Sequence, residues 1–103
     1  MTELEISEVA PGRYRLGGEL DMASAETLYG ALRPVVDTQG HIVLDLADLT
    51  FIDSSGIRAL VDLSRQMNGA APLLLTKVSP SVKRVLDIVG IETLPGIEVE
   101  QVA

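Results

Sequence analysis

The sequence predicts an α/β protein with a mixed β-sheet, in which an N-terminal hairpin precedes alternating helices and strands. Three observations support this prediction. Two segments with apolar residues at alternate positions flank Pro11-Gly12, which is turn chemistry. Three later segments carry apolar residues at helical spacing. Short aliphatic runs separate these segments and have the composition of buried strands.

The predicted hairpin has strands at roughly 3–9 and 12–19. The first helix is predicted over 24–37, where apolar residues recur at intervals of three and four. Pro34 lies inside this segment, so we expect the last turn to be kinked or frayed.

A strand and an amphipathic helix are predicted in the middle of the chain. The run His41–Leu46 is rich in β-branched residues and is typical of a strand covered on both faces. The helix begins near Ser54 or Ser55 and runs to about Asn68, where Asn68-Gly69 ends it. Its predicted apolar face comprises Ile57, Leu60, Val61, Ser64 and Met67.

The last third of the chain is predicted as strand, helix, strand. Pro72–Lys77 is another buried strand, and a last strand is expected near 96–100. Between them, Ser79-Pro80 provides a hydroxyl for the N-cap and a proline for the first helical position. This helix stops at Gly90 and is expected to turn Val82, Val85, Leu86 and Val89 inward.

Composition excludes several classes of function. We expect residues 1–103 to form a single domain. The net charge of −7 argues against general binding to nucleic-acid backbones, which requires a positive surface. The absence of cysteine excludes disulfides and cysteine-based metal sites, and His41 is the single histidine. We therefore expect neither a metal nor a cofactor, and a surface position for His41.

The sequence also lacks the marks of export and membrane insertion. The first residues, Met1-Thr2-Glu3-Leu4-Glu5, are acidic and do not have the layout of a signal peptide. No apolar run approaches the roughly 18 residues that a membrane span needs. We therefore expect a soluble, cytoplasmic protein without a membrane partner.

Ligands and partners favour the loops at the carboxyl ends of strands in such sheets, which here are 20–24 and 51–56. The second loop contains Asp53-Ser54-Ser55-Gly56 between a strand and a helix. Short polar side chains suit a helix N-terminus, where an anion is also favoured. Gly56 would allow a neighbouring chain to approach the backbone closely. The simpler interpretation is that Asp53 or Ser54 is only a cap.

With these segments in place, the sequence resembles the STAS domain family, which includes the anti-sigma factor antagonists. Four pieces match in order and cover nearly the whole chain: Gly18–Asp21, Ile42–Leu46, Leu49–Gly56 and Ser79–Leu86. The third piece resembles the phosphorylation motif of the family. The resemblance implies a STAS-like fold and a regulatory protein that is not an enzyme.

The resemblance also implies a mechanism of partner switching. The unphosphorylated protein would bind an anti-sigma factor that is also a serine kinase, and so free a sigma factor. Phosphorylation of Ser54, the first serine of the motif, would release this partner, and a metal-dependent serine phosphatase would reverse the modification. The choice of Ser54 over Ser55 comes from the family pattern alone. We expect a monomer that forms hetero-complexes.

The expected partner-binding residues are Asp21, Met22, Asp53, Ser54, Ser55, Gly56, Ile57 and Arg58. For Asp21 the alternative is a helix cap, with Ser24 as a rival cap, and for Met22 and Ile57 it is membership of the core. Arg58 departs from the family, which often has a glycine there. Its guanidinium either meets the Ser54 phosphate or an acidic partner, or pairs weakly with Asp62 on the surface.

Two other functions fit the sequence less well. A serine hydrolase would need the Gly-x-Ser-x-Gly elbow, which is absent, and the histidine lies at the far end of the preceding strand. The sequence also lacks the glycine-rich phosphate-binding loop that a nucleotide-binding enzyme would need. The more serious alternative is a STAS subunit or scaffold of a transporter, such as a lipid-transport ATPase, that works without kinase switching.

Overall fold

The computed structural model describes residues 3–67 and 71–100. In these residues the strands are β1 (Glu5–Ala10), β2 (Arg13–Leu20), β3 (Ile42–Ile52), β4 (Leu73–Thr76) and β5 (Ile97–Val99). The helices are α1 (Met22–Gln39), α2 (Ser54–Gln66) and α3 (Pro80–Ile88), and a short 3-10 helix spans Ile91–Thr93. The predicted order of elements is confirmed. The predicted end of α2 at Asn68-Gly69 lies outside the described residues.

The five strands form one mixed sheet. Their spatial order is β1-β2-β3-β4-β5, so each strand pairs with its neighbour in the sequence. The hairpin strands β1 and β2 are antiparallel, whereas the β2–β3, β3–β4 and β4–β5 pairs are parallel. The mixed sheet that the sequence predicts is therefore confirmed, and the parallel pairs bring successive helix starts to the same edge.

The core lies between the helices and one face of the sheet. Along β2, Tyr14, Leu16 and Leu20 are buried while Arg13 and Arg15 are exposed, as expected when one face is covered. Aliphatic side chains supply most of the core, and the fully buried ones are Leu16, Leu20, Leu28, Leu32, Ile42, Leu44, Leu46, Leu49, Leu60, Leu63, Leu73 and Leu75.

Two predictions about the strand β3 are wrong. The strand does not stop at Leu46 but continues to Ile52. Its alternation is interrupted where the register with β2 shifts, between the pairs Arg15↔Asp45 and Gly17↔Asp48, and such a bulge allows pairing to resume. The strand is also not covered on both faces, because Val43 and Asp45 are only half-buried.

Two helix predictions also need correction. The helix α1 spans Met22–Gln39, two residues longer at each end than the predicted 24–37, and the residues after Pro34 stay helical instead of fraying. It ends at Gly40, which has a φ of 72°, a conformation that glycine adopts without strain. Val89 was expected in the core but is 47% exposed, because α3 ends at Ile88 and Val89 already forms its C-cap.

Candidate functional site

The two loops singled out by the sequence meet at one edge of the sheet. Leu20, the last residue of β2, pairs with Ile52, the last residue of β3. The amide nitrogen of Asp53 donates a hydrogen bond to the carbonyl oxygen of Leu20 over 3.2 Å. Because β2 and β3 are parallel and end together, the helices α1 and α2 begin side by side.

Asp21 caps the start of α1. Its Oδ1 accepts hydrogen bonds from the amide nitrogens of Ala23 (3.0 Å) and Ser24 (3.1 Å). The hydroxyl of Ser24 in turn accepts from the Asp21 amide at 3.0 Å and donates to the carbonyl oxygen of Glu19 at 2.9 Å. The two rival caps of the sequence analysis therefore work together as a capping box.

Asp53 caps α2 in a similar way. Its Oδ1 accepts from the amide nitrogens of Ser55 (2.9 Å) and Gly56 (3.1 Å). These are donors that the first turn of a helix would otherwise leave without a partner. Between the two caps that the sequence allowed, the structure selects Asp53, and Ser54 becomes the first residue of the helix.

The two serines of the motif differ in exposure. Ser54 is exposed, and its hydroxyl makes no hydrogen bond within the described part of the chain. Ser55 is half-buried and lines a groove between α1 and α2. The Ser54 side chain is therefore the more accessible of the two to another protein.

Gly56 and Ile57 are buried within this chain. A Cβ atom at Gly56 would lie 2.6 Å from the carbonyl oxygen and 2.7 Å from the Cγ of Leu20, and 2.9 Å from the Cγ1 of Ile52. The chain that approaches Gly56 is therefore the protein's own strand β2, and not a partner. The Ile57 side chain is only 8% exposed, which confirms its alternative interpretation as a core residue.

A groove of about 530 Å³ runs between α1 and α2 beside Ser55. Its lining residues are Met22, Ala25, Glu26, Tyr29, Gly30, Ser55, Arg58, Ala59 and Asp62. Met22 is 78% exposed and is therefore not a core residue, while its contact with a partner stays a prediction. The sequence analysis missed Glu26, Tyr29 and Gly30 as site residues, although their spacing from Met22 places them on one stripe of α1.

Arg58 projects from the same surface. Its side chain is 85% exposed, and its Nε lies 4.0 Å from Oδ2 of Asp62. Because α2 begins at Ser54, Arg58 lies in the second turn and not in the first, where the helix dipole would oppose a cation most strongly. The weak surface pair is present, and the alternatives that involve a phosphate or a partner stay predictions.

His41 lies far from this site. It precedes β3, at the opposite end of the strand from Ser54, and it is exposed, with its Nδ1 3.1 Å from the carbonyl oxygen of Gln39. Within residues 3–67 and 71–100, no group of three or more histidine, aspartate or glutamate side chains is placed to hold a metal ion. No helix in these ranges is both long and apolar enough to cross a membrane.

Comparison with known proteins identifies similar sequences. The model of the STAS domain family matches residues 3–101. The chain is 34% identical over 77 residues to BtrV of Bordetella bronchiseptica, which is named as an anti-sigma factor antagonist, and 31% identical over 80 residues to the anti-sigma F factor antagonist of Paenibacillus polymyxa. These alignments cover 73% and 75% of this chain, but 66% and 68% of the relatives.

Solved structures show a similar fold. SpoIIAA, an anti-sigma factor antagonist of Bacillus, matches in its unphosphorylated form with a TM-score of 0.68 and 19% identity, over 97% of this chain and 89% of the other. Its phosphorylated form matches with a TM-score of 0.65 and 20% identity, over 95% and 91%. A sulfate transporter family protein of Wolinella succinogenes matches with a TM-score of 0.71 and 25% identity, over 92% and 80%.

Proposed function

Because the chain belongs to the STAS domain family, we propose that it is a single-domain anti-sigma factor antagonist, switched by phosphorylation of Ser54. The unphosphorylated form binds an anti-sigma factor with serine kinase activity, and the phosphorylated form leaves it. The proteins named as anti-sigma factor antagonists among its relatives support this assignment. The family is regulatory, and the residues of the site are proposed to bind a partner and not to catalyse a reaction.

The position of Ser54 is the observation that carries this proposal. It is exposed as the first residue of α2, directly after the cap Asp53, at the edge where α1 also begins. A kinase can reach its hydroxyl without any opening of the core. Ser55 is less accessible, because it is half-buried.

The modification itself is a phosphoryl transfer from ATP. The Ser54 oxygen forms a bond to the γ-phosphorus, the bond between this phosphorus and the bridging oxygen of ADP breaks, and the hydroxyl proton is released. A serine phosphatase reverses the change with water, which leaves the free hydroxyl and inorganic phosphate. The site gains about −1.5 to −2 charges at neutral pH.

Charge and desolvation explain why the partner leaves. A phosphate buried in an interface loses its hydration, which costs free energy. The carboxylates of Asp21 and Asp53 cap the two helices at the same edge and repel an added anion. A difference of about 1.4 kcal/mol between the two forms changes the affinity tenfold, so a few kcal/mol are sufficient for a switch.

We propose the following partner surface around Ser54. Its exposed or half-buried members are Asp21, Met22, Asp53, Ser54, Ser55 and Arg58. Gly56 and Ile57 support this surface from within the core. Met22 is exposed and provides an apolar contact on the groove that Ser55 and Arg58 also line.

Incubation with candidate anti-sigma factor kinases and ATP tests this function. We expect the intact mass to rise by one phosphate, peptide mapping to locate it at Ser54, and the complex to dissociate as the phosphate is added. Ser54→Ala should bind the kinase but no longer dissociate when ATP is added, whereas the matched variant Ser55→Ala should behave like the wild type. ATP-driven release that persists in Ser54→Ala would overturn the proposal.

A transporter subunit is the second candidate, and the similarity to the sulfate transporter family protein favours keeping it. Affinity purification of the tagged protein from its own cells separates the two functions. Recovery of a kinase-like anti-sigma factor supports the switch. Recovery of a transporter ATPase, together with no phosphorylation at Ser54, supports the alternative.

A further inference from the structure

We propose that Arg58 is an intramolecular ligand of the phosphate on Ser54, and that phosphorylation moves its guanidinium away from Asp62. This inference rests on the proposed function, because it describes the phosphorylated form. It is carried by the spacing of three residues on α2, by the weakness of the present ion pair, and by the exposure of the side chains involved.

The spacing places the three side chains on one face of the helix. Ser54, Arg58 and Asp62 follow one another at intervals of four within α2, and residues four apart are neighbours on a helix surface. The Nε of Arg58 now lies nearest the carboxylate of Asp62. Helical rotamers also direct long side chains towards the N-terminus, so this exposed side chain can turn towards Ser54. Both residues are exposed, and neither has to leave the core for them to meet.

The present partner of Arg58 holds it weakly. The distance from Nε to the Asp62 carboxylate is 4.0 Å, and the two side chains are 85% and 42% exposed. Exposed pairs of this kind contribute little to stability. The order is also unfavourable, because a helical pair is stronger when the acid precedes the base than when it follows. Little free energy is therefore lost when Arg58 leaves Asp62.

A phosphate on Ser54 is the stronger competitor. It has up to twice the charge of a carboxylate and three acceptor oxygens. The planar guanidinium group can bind two of these oxygens at once. The phosphate also precedes Arg58 in the helix, which is the favourable order. All three differences act in the same direction, so the guanidinium pairs with the phosphate in preference to Asp62.

The charged groups around the start of α2 differ in their effect on a phosphate at Ser54. The carboxylates of Asp21 and Asp53 cap the helices, and Glu26 and Tyr29 of α1 line the groove beside Arg58 and Asp62. The carboxylates all oppose a second negative charge on the phosphate. Arg58 favours this charge and therefore lowers the second pKa of the phosphoserine relative to the same chain without the guanidinium group.

Titration of the phosphate by ³¹P NMR tests this pairing. The full chain is made with phosphoserine incorporated at position 54 during translation, so no kinase is needed. We expect the phosphate pKa in the otherwise wild-type chain to lie about 0.2–0.4 below that in Arg58→Ala. Arg58→Lys should recover part of the shift, because it keeps the charge but loses the planar group. The shift should shrink at ~1 M salt.

Arg65→Ala is the matched control, since Arg65 is also exposed on α2 but lies about three turns from Ser54. It should leave the phosphate pKa unchanged. Equal pKa values in wild type and Arg58→Ala would overturn the inference, and so would an equal effect of Arg65→Ala. If no kinase phosphorylates Ser54, only the proposed function is contradicted. The inference about Arg58 is tested separately, because the phosphate in this experiment does not come from a kinase.

Discussion

Gly56 occupies the point where α2 begins against the end of β2. Any side chain there meets backbone as well as side-chain atoms, because a Cβ would come within 2.6 Å of the Leu20 carbonyl oxygen. The requirement for glycine is therefore one of space inside the protein. A partner is not needed to explain it.

Gly56→Ala should lower the free energy of unfolding by about 1–3 kcal/mol, as other overpacked sites do. Gly30→Ala is the matched control, because Gly30 lies within α1 and its Cβ would meet no atom within 4 Å. That variant should be more stable by about 0.5–1 kcal/mol, since alanine favours a helix. Urea unfolding measures both, and a neutral Gly56→Ala would contradict the packing seen here.

The sequence identifies some site residues better than others. Asp53, Ser54 and Ser55 are contiguous, so their pattern is visible without a structure. The groove brings Glu26 and Tyr29 of α1 beside Asp62 of α2, and this proximity depends on how the two helices pack. A helical stripe shows which residues share a face, but it does not show which other helix that face meets.

At the level of elements, the caps at Asp21 and Asp53 determine where α1 and α2 begin. The start of α2 was predicted to within one residue, because short polar residues mark helix N-termini. The apolar run His41–Leu46 marks only the first half of β3, because Asp45 and Asp48 interrupt the apolar pattern before the strand ends at the predicted loop 51–56. Only the register with β2 shows that pairing resumes after a bulge.

Substitutions of Asp53 show whether its side chain stabilises α2 through its hydrogen bonds to the first turn or through its negative charge. Asp53→Ala should cost about 1 kcal/mol of unfolding free energy, because two amide nitrogens lose their acceptor. Asp53→Ser should retain most of the stability, since serine caps helices about as well. Urea unfolding with unchanged m-values would support this account. If Asp53→Ser is as unstable as Asp53→Ala, the negative charge and not the cap stabilises the helix.

At the scale of the whole molecule, the fold class and the shared edge of the two loops followed from the sequence. The alternation of strands and helices fixes the parallel pairs, and parallel strands place their carboxyl ends together. The sequence did not predict that one face of the sheet is left uncovered. Val43 lies in a run that is apolar enough for burial on both faces. Its half-buried state depends on helices that cover one face alone.

Phosphorylation should leave this fold intact. The added group lies on an exposed residue at the edge of the sheet, outside the core. In ¹H–¹⁵N spectra of the full chain with phosphoserine at position 54, we expect shifts confined to the starts of α1 and α2 and to Arg58. Shifts throughout β3 and β4 would show a global rearrangement and would contradict release by a local block.

The order of the strands has a consequence for synthesis of the protein. Each strand lies beside the one made immediately before it, so the sheet can grow from one side as the nascent chain leaves the ribosome. No strand has to wait for a later one to be inserted between it and its neighbour. When the segment that contains Ser54 emerges, β2 and α1 have therefore already been made.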